Sequence, residues 1–225
     1  VRTGRLIVIE GSEGAGKTTQ LKLLTERLRA SGFDVLPLRE PGGTPLSDAI
    51  RALLLDPSQH ISPPAEALLF MASRAQLVRD KIDPALDRGV VVLMDRFFLS
   101  TYAYQIDGRG LPEEQVRSAN ALATAGLVPD LNIVLQISAS EGMQRAAARG
   151  EHDRMEQSGD EFHARVERAF TRFVSGDWQR AHRECGLVVE VDGRGTPDAV
   201  HERVVNSLAQ NLPEHFGKLS RGKEG

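Results

Sequence analysis

The run Gly11-Ser12-Glu13-Gly14-Ala15-Gly16-Lys17-Thr18 sets two glycines, a lysine and a hydroxyl residue at the spacing GxxxxGK[ST], after the apolar stretch Leu6-Ile7-Val8-Ile9. A strand before this pattern and an amphipathic helix after it make a phosphate cradle. Backbone N–H groups of residues 11–18 and the following helix N-terminus present partial positive charge to a polyphosphate. Lys17 adds a full charge on the outer phosphates, Thr18 offers a hydroxyl to Mg²⁺, and Thr19 continues the loop into the helix. The chemistry read here is that of a nucleoside triphosphate.

A second cluster follows Val90-Val91-Val92-Leu93-Met94, which runs into Asp95-Arg96. In isolation the pair is equally consistent with a structural ion pair. Beside a phosphate loop, Asp95 can support Mg²⁺ or phosphate while the planar fork of Arg96 grips an anionic acceptor. The loop's variable positions, Ser12, Glu13, Gly14 and Ala15, include no arginine, although phosphoryl transfer needs positive charge on the moving group. The charged segment Arg145 to Asp160, RAAARGEHDRMEQSGD, can supply it through Arg149 or Arg154, with Arg145 expected on a helix surface. Without the phosphate loop, the same segment reads as a solvated helix end.

These groups need a scaffold. Short β-branched apolar runs at 6–9, 35–38, 90–94, 131–137 and 187–191 read as buried strands, with helical stretches between them. The expectation is an α/β fold with about five parallel strands and helices on both faces, ligands binding beyond the C-terminal strand ends. At 225 residues and 40% hydrophobic, the chain suits one core: a single domain over 1–212 with a small lid near 145–160, then a polar tail over 213–225 expected to fray. A formal charge of −3 argues against a general nucleic-acid binder. One cysteine, Cys185, with no signal pattern and no apolar run of membrane length, predicts a soluble cytoplasmic protein.

Three separated motifs together resemble thymidylate kinase, which phosphorylates dTMP to dTDP with ATP. They are Arg39-Glu40-Pro41-Gly42-Gly43-Thr44; Asp95-Arg96 followed by Ser100-Thr101 and Ala103-Tyr104-Gln105; and Arg149-Gly150-Glu151-His152-Asp153-Arg154. The resemblance spans nearly the whole chain and implies a nucleoside monophosphate kinase fold, ATP and dTMP as substrates, Mg²⁺, and a homodimer. It also implies the bacterial branch, in which a lid supplies the basic residue. A helix over 64–78 puts Phe70 and Arg74 one turn apart on one face. By resemblance these two stack on thymine and hydrogen-bond its edge, which suits a flat base with carbonyl acceptors. Thr101 and Gln105 then address the base, and Tyr104 crowds the sugar's 2′ position. Ser100 is equally consistent with helix capping. Arg39 and Arg51 are candidates for the monophosphate side, Arg51 being equally consistent with a solvated helix residue; Glu10 is a candidate contact for Mg²⁺ or water near the phosphates, and Glu40-Pro41 is cis in relatives. Phe97 stands where many relatives have Tyr or His, which removes any hydroxyl contact there.

Two other functions compete. One is a kinase for a different nucleotide or small molecule, opposed by Phe70, Arg74 and Gln105. The other is a nucleotide-hydrolysing switch, opposed by the lack of an NKxD-type base motif.

Overall fold

Each of the five apolar runs forms a strand. Strands β1 (Arg5–Glu10), β2 (Val35–Arg39), β3 (Val91–Asp95), β4 (Leu131–Gln136) and β5 (Val188–Asp192) make one parallel sheet in the order β2-β3-β1-β4-β5. The computed structural model describes residues 2–147 and 154–219. Its helices are α1 (Lys17–Ala30), α2 (Pro45–Leu55), α3 (Pro63–Leu77), α4 (Asp83–Asp87), α5 (Phe98–Thr101), α6 (Glu113–Thr124), α7 (Ala139–Ala147), α8 (Asp160–Phe173), α9 (Gly176–Ala181), α10 (Pro197–Asn211) and α11 (Pro213–Phe216).

Alternation along the strands divides the core. Leu6, Val8, Val92 and Met94 face one layer with Leu77, Phe98, Tyr102 and Phe170. Ile7, Ile9, Leu93 and Ile133 face the other with Leu24, Leu28, Val204 and Leu208. Burial on both faces is what a parallel sheet requires. Caps fix where helices begin. Thr44 accepts the Ser47 N–H at 3.1 Å before Pro45, and Thr196 accepts the Ala199 N–H at 3.3 Å before Pro197.

Register then aligns the functional strand ends. Asp95 lies level with Ile9 of β1 and Arg39 of β2. One residue further on, Arg96 N–H donates to Ile9 O and Glu40 N–H to Asp95 O, both at 3.0 Å. The phosphate loop, the Asp95-Arg96 pair and the Arg39 to Gly43 turn therefore leave the sheet side by side.

The C-terminal stretch departs from the expected frayed tail. Residues 213–216 are helical, Phe216 and Leu219 are buried, and the Phe216 ring packs 5.2 Å from that of Phe33. Arg27 Nη2 donates to Leu219 O at 3.0 Å. Two apolar residues in an otherwise polar run are enough to dock it; residues 220–225 lie outside the described residues. Among the described residues no helix is long and apolar enough to cross a membrane.

Candidate active site

A cleft of about 590 Å³ opens at the C-terminal ends of β1, β2 and β3. At one end lies the phosphate loop. Lys17 begins α1, is only 6% exposed, and its Nζ donates to Ser12 O at 2.8 Å. Burial, with the nearby Arg96 charge adding to it, lowers its pKa from 10.5 to about 8. Thr18 Oγ1 donates to Asp95 Oδ2 at 2.6 Å, which brings the hydroxyl and the carboxylate together beside the loop. The loop also rests on α7. A Cβ on either Gly14 (φ +71°) or Gly142 would overlap the other segment's backbone, so no side chain fits at that crossing.

Arg96 is the hub between loop and acceptor side. Its backbone sits at φ +70°, a left-handed conformation that costs a non-glycine residue and clusters at functional sites. Nη1 donates to Gly11 O at 3.1 Å and Ser100 Oγ at 3.0 Å. Nη2 donates to Glu13 Oε2 at 3.1 Å and Tyr104 Oη at 3.2 Å. The guanidinium also lies 5.1 Å from the Tyr104 ring centre. Burial raises the Tyr104 phenol to about 12, against the opposing pull of Arg96, so it stays neutral while it accepts from Arg96.

The acceptor end is walled by α3, α5 and the wide π-helical turn Tyr102–Gly108 that continues α5. Such turns often mark functional sites, and this one carries Tyr104 and Gln105 into the cleft. Phe70 and Arg74, one turn apart on α3, line the same wall, as do Thr101 and Ser100. Arg74 is buried to 2% exposure. It donates to Glu40 Oε2 through Nε at 2.8 Å and Nη2 at 2.6 Å, to Asn120 Oδ1 at 2.6 Å and to Phe97 O at 3.1 Å. A long Nη1 contact to Met71 Sδ at 3.9 Å completes the set. Burial raises the pKa of Glu40 while Arg74 opposes the rise. Arg39 and Arg51 both line the cleft, and Arg51 Nη1 donates to Pro41 O at 3.0 Å. The Glu40–Pro41 bond is cis, as the resemblance implied.

Three expected site residues are placed differently or not at all. Glu10 does not line the cleft. Its carboxylate accepts from Phe97 N–H at 2.7 Å, Ser100 N–H at 3.2 Å and Ser100 Oγ at 2.6 Å, capping the start of α5 instead of facing phosphate or metal. Burial raises its pKa. Arg154 turns away from the phosphate loop: its Nη2 pairs with Glu66 at 2.7 Å and its Nε donates to Leu54 O at 2.8 Å, at the end of α2. Arg149 lies outside the described residues.

The thymidylate kinase family model matches residues 9–183. The chain belongs to the thymidylate kinase family. It is 50% identical over 177 residues to the thymidylate kinase of Deinococcus radiodurans, covering 79% of this chain and 86% of that protein. It is 43% identical over 221 residues to that of Pseudomonas fluorescens, covering 98% and 100%. The crystal structure of thymidylate kinase from Ehrlichia chaffeensis superposes with a TM-score of 0.70 at 28% identity, covering 91% of this chain and 98% of that one. The family is thus that of kinases, which are nucleotide-binding transferases.

Several residues escaped the motifs that identify the family. Arg145, expected on a helix surface, lines the cleft beside the phosphate loop and donates to Gly193 O at 3.3 Å. Gly193, Gly195 and Pro197 close the same end after β5. Their only trace in sequence is a glycine-rich step after the fifth apolar run. Gly142 and Glu66 carried no trace, since each acts through the backbone or side chain of another segment.

Proposed function

We propose that this cleft carries out ATP-dependent phosphorylation of dTMP to dTDP by direct in-line transfer of the γ-phosphoryl group. The observation that carries this reading is the continuity of one cleft from a phosphate loop, through Arg96, to a pocket walled by Phe70, Arg74, Tyr104 and Gln105. ATP lies along residues 11–19, with the buried Lys17 ammonium on its outer phosphates. The dTMP phosphate takes Arg96 from Glu13, helped by Arg39 and Arg51, and Ser100 holds the far side of the Arg96 fork. Phe70 stacks on thymine, and Thr101 and Gln105 meet its edge. Arg74 has its five N–H groups engaged, so the weak Met71 contact is the one a thymine carbonyl displaces. Tyr104 sits over the sugar.

Thr18 and Asp95 fit Mg²⁺: a hydroxyl and a carboxylate oxygen meet at 2.6 Å beside the phosphate loop, a hard-oxygen pair of the kind that ion takes with nucleotide phosphates. When bound, the ion neutralises charge between the phosphates. Glu10 does not fit as a ligand, because its oxygens already cap α5. The missing cation in the loop is assigned to the lid in the bacterial manner. Arg149 is the residue for the transferred group, and Arg154 the anchor of the lid's end on Glu66. We also read the protein as a cytoplasmic homodimer. Leu46 and Leu53 on α2, Leu68 on α3 and Leu122 on α6 are exposed apolar residues, and α3 packs against both α2 and α6, so these helices offer an apolar face to a second copy.

Thermal unfolding tests the acceptor assignment directly. At a concentration about 100-fold above its dissociation constant, a ligand adds about 2.7 kcal/mol of stability. dTMP is expected to raise the melting temperature by several degrees in the presence of an ATP analogue, with AMP, GMP and CMP raising it far less. Equal shifts from all four would sink the thymine pocket.

A further inference from the structure

Gln105 lines the cleft, but the direction of its amide is set by a residue that does not. Its Nε2 donates to Glu66 Oε1 at 2.9 Å, and Glu66, on α3, is fully buried and outside the cleft wall. Arg109 reaches the same carboxylate through Nε to Oε1 and Nη2 to Oε2, both at 3.2 Å. Arg154 Nη2 adds a contact to Oε2 at 2.7 Å. Held between two guanidinium groups, the carboxylate accepts and does not donate, so the nitrogen end of the Gln105 amide must face it. The oxygen end is then turned the other way. Among the described residues no side-chain hydrogen bond ends on Gln105 Oε1, and the side chain lines the cleft.

We propose that Glu66 is a positioning residue for base selection: by fixing Gln105 Nε2 it makes the cleft present a hydrogen-bond acceptor, which favours a base with a ring N–H at that edge. Thymine and uracil carry that N–H, whereas cytosine carries a ring acceptor there and meets Oε1 with repulsion. The inference rests on the assignment of Gln105 to the base. A buried polar contact left unpaired or opposed discriminates strongly between otherwise similar substrates. Glu66→Gln reverses the logic. Arg109 and Arg154 retain the new amide's oxygen, its nitrogen faces Gln105, and Gln105 turns its own nitrogen to the cleft.

The test measures kcat/KM for dTMP and dCMP in the wild type, Glu66→Gln, Gln105→Ala and the double variant. Wild type must first favour dTMP; if it does not, the functional reading fails, and this proposal with it. Given that preference, Glu66→Gln should lower the dTMP-to-dCMP ratio about tenfold or more. In the Gln105→Ala background the same change should leave the ratio within about twofold, because the coupling runs through that amide. Arg154→Ala, which removes a lid contact but leaves the Glu66–Gln105 bond, should leave the ratio intact. A Glu66→Gln variant that loses activity on both nucleotides in equal proportion overturns the proposal and makes Glu66 a purely structural anion. Should that variant not fold, side-chain amide NMR of the wild type decides. The Gln105 NH₂ pair should keep its hydrogen-bonded proton on Glu66 when dTMP binds, and an exchange of the two amide ends on binding would overturn the proposal.

Discussion

Lys17→Ala is expected to lower kcat by roughly 10³-fold, the scale of removing a main electrostatic contact to a transferring phosphoryl group. The ammonium is buried beside the loop carbonyl of Ser12, so water cannot replace its charge cheaply. Steady-state ADP formation with saturating dTMP checks it, and turnover within tenfold of wild type would make the phosphate loop dispensable. The same residue gives a pH signature. In the empty site Lys17 loses its proton near pH 8, whereas in the unfolded chain it keeps it to about 10.5. The unfolded chain therefore binds more protons between those values, so this group destabilises the empty protein fully below pH 8 and the penalty fades as pH rises toward 10.5. ATP phosphates favour the charged form, so binding takes up a proton above pH 8. Apparent ATP affinity should fall across that limb in the wild type, and Lys17→Ala should flatten it.

Arg96→Ala is expected to cost about 10² to 10³ in kcat/KM for dTMP, through loss of a bidentate fork on the acceptor phosphate. The guanidinium links Gly11 and Glu13 of the loop to Ser100 and Tyr104 of the acceptor wall, so no single neighbouring side chain can take over. Arg96→Lys keeps the charge without the planar fork and should recover only part of the loss. If Arg96→Lys matched wild type in kcat/KM, the fork would be irrelevant and a point charge sufficient.

How much of this was legible in the sequence depends on the range of the interaction. The strands and the phosphate loop are written locally, in apolar runs and in glycine spacing, and the sheet follows them closely. Phe70 and Arg74 were readable from helical periodicity, since one turn of α3 sets them on the cleft wall. Glu10 misled because a carboxylate at a strand end beside a phosphate loop looks like a metal ligand. Only the fold brings Phe97 N–H and Ser100 onto it, nearly ninety residues along the chain. Arg154 misled for the same reason, its partner Glu66 being buried in α3. The docking of residues 213–219 rested on Phe216 and Leu219, two apolar residues without periodicity around them. Arg145 reads as solvated charge in the sequence, and only the fold sets β5 and its following turn against the same end of the cleft.

The central claim is that one cleft joins a triphosphate donor to a thymine-bearing monophosphate. Its most direct test is phosphoryl transfer from γ-labelled ATP with Mg²⁺ to dTMP, AMP, GMP and CMP offered in separate reactions. The account predicts labelled dTDP formed far faster than any other diphosphate, with release of labelled inorganic phosphate slow by comparison. Faster transfer to another monophosphate, or hydrolysis that ignores the acceptor, would contradict it.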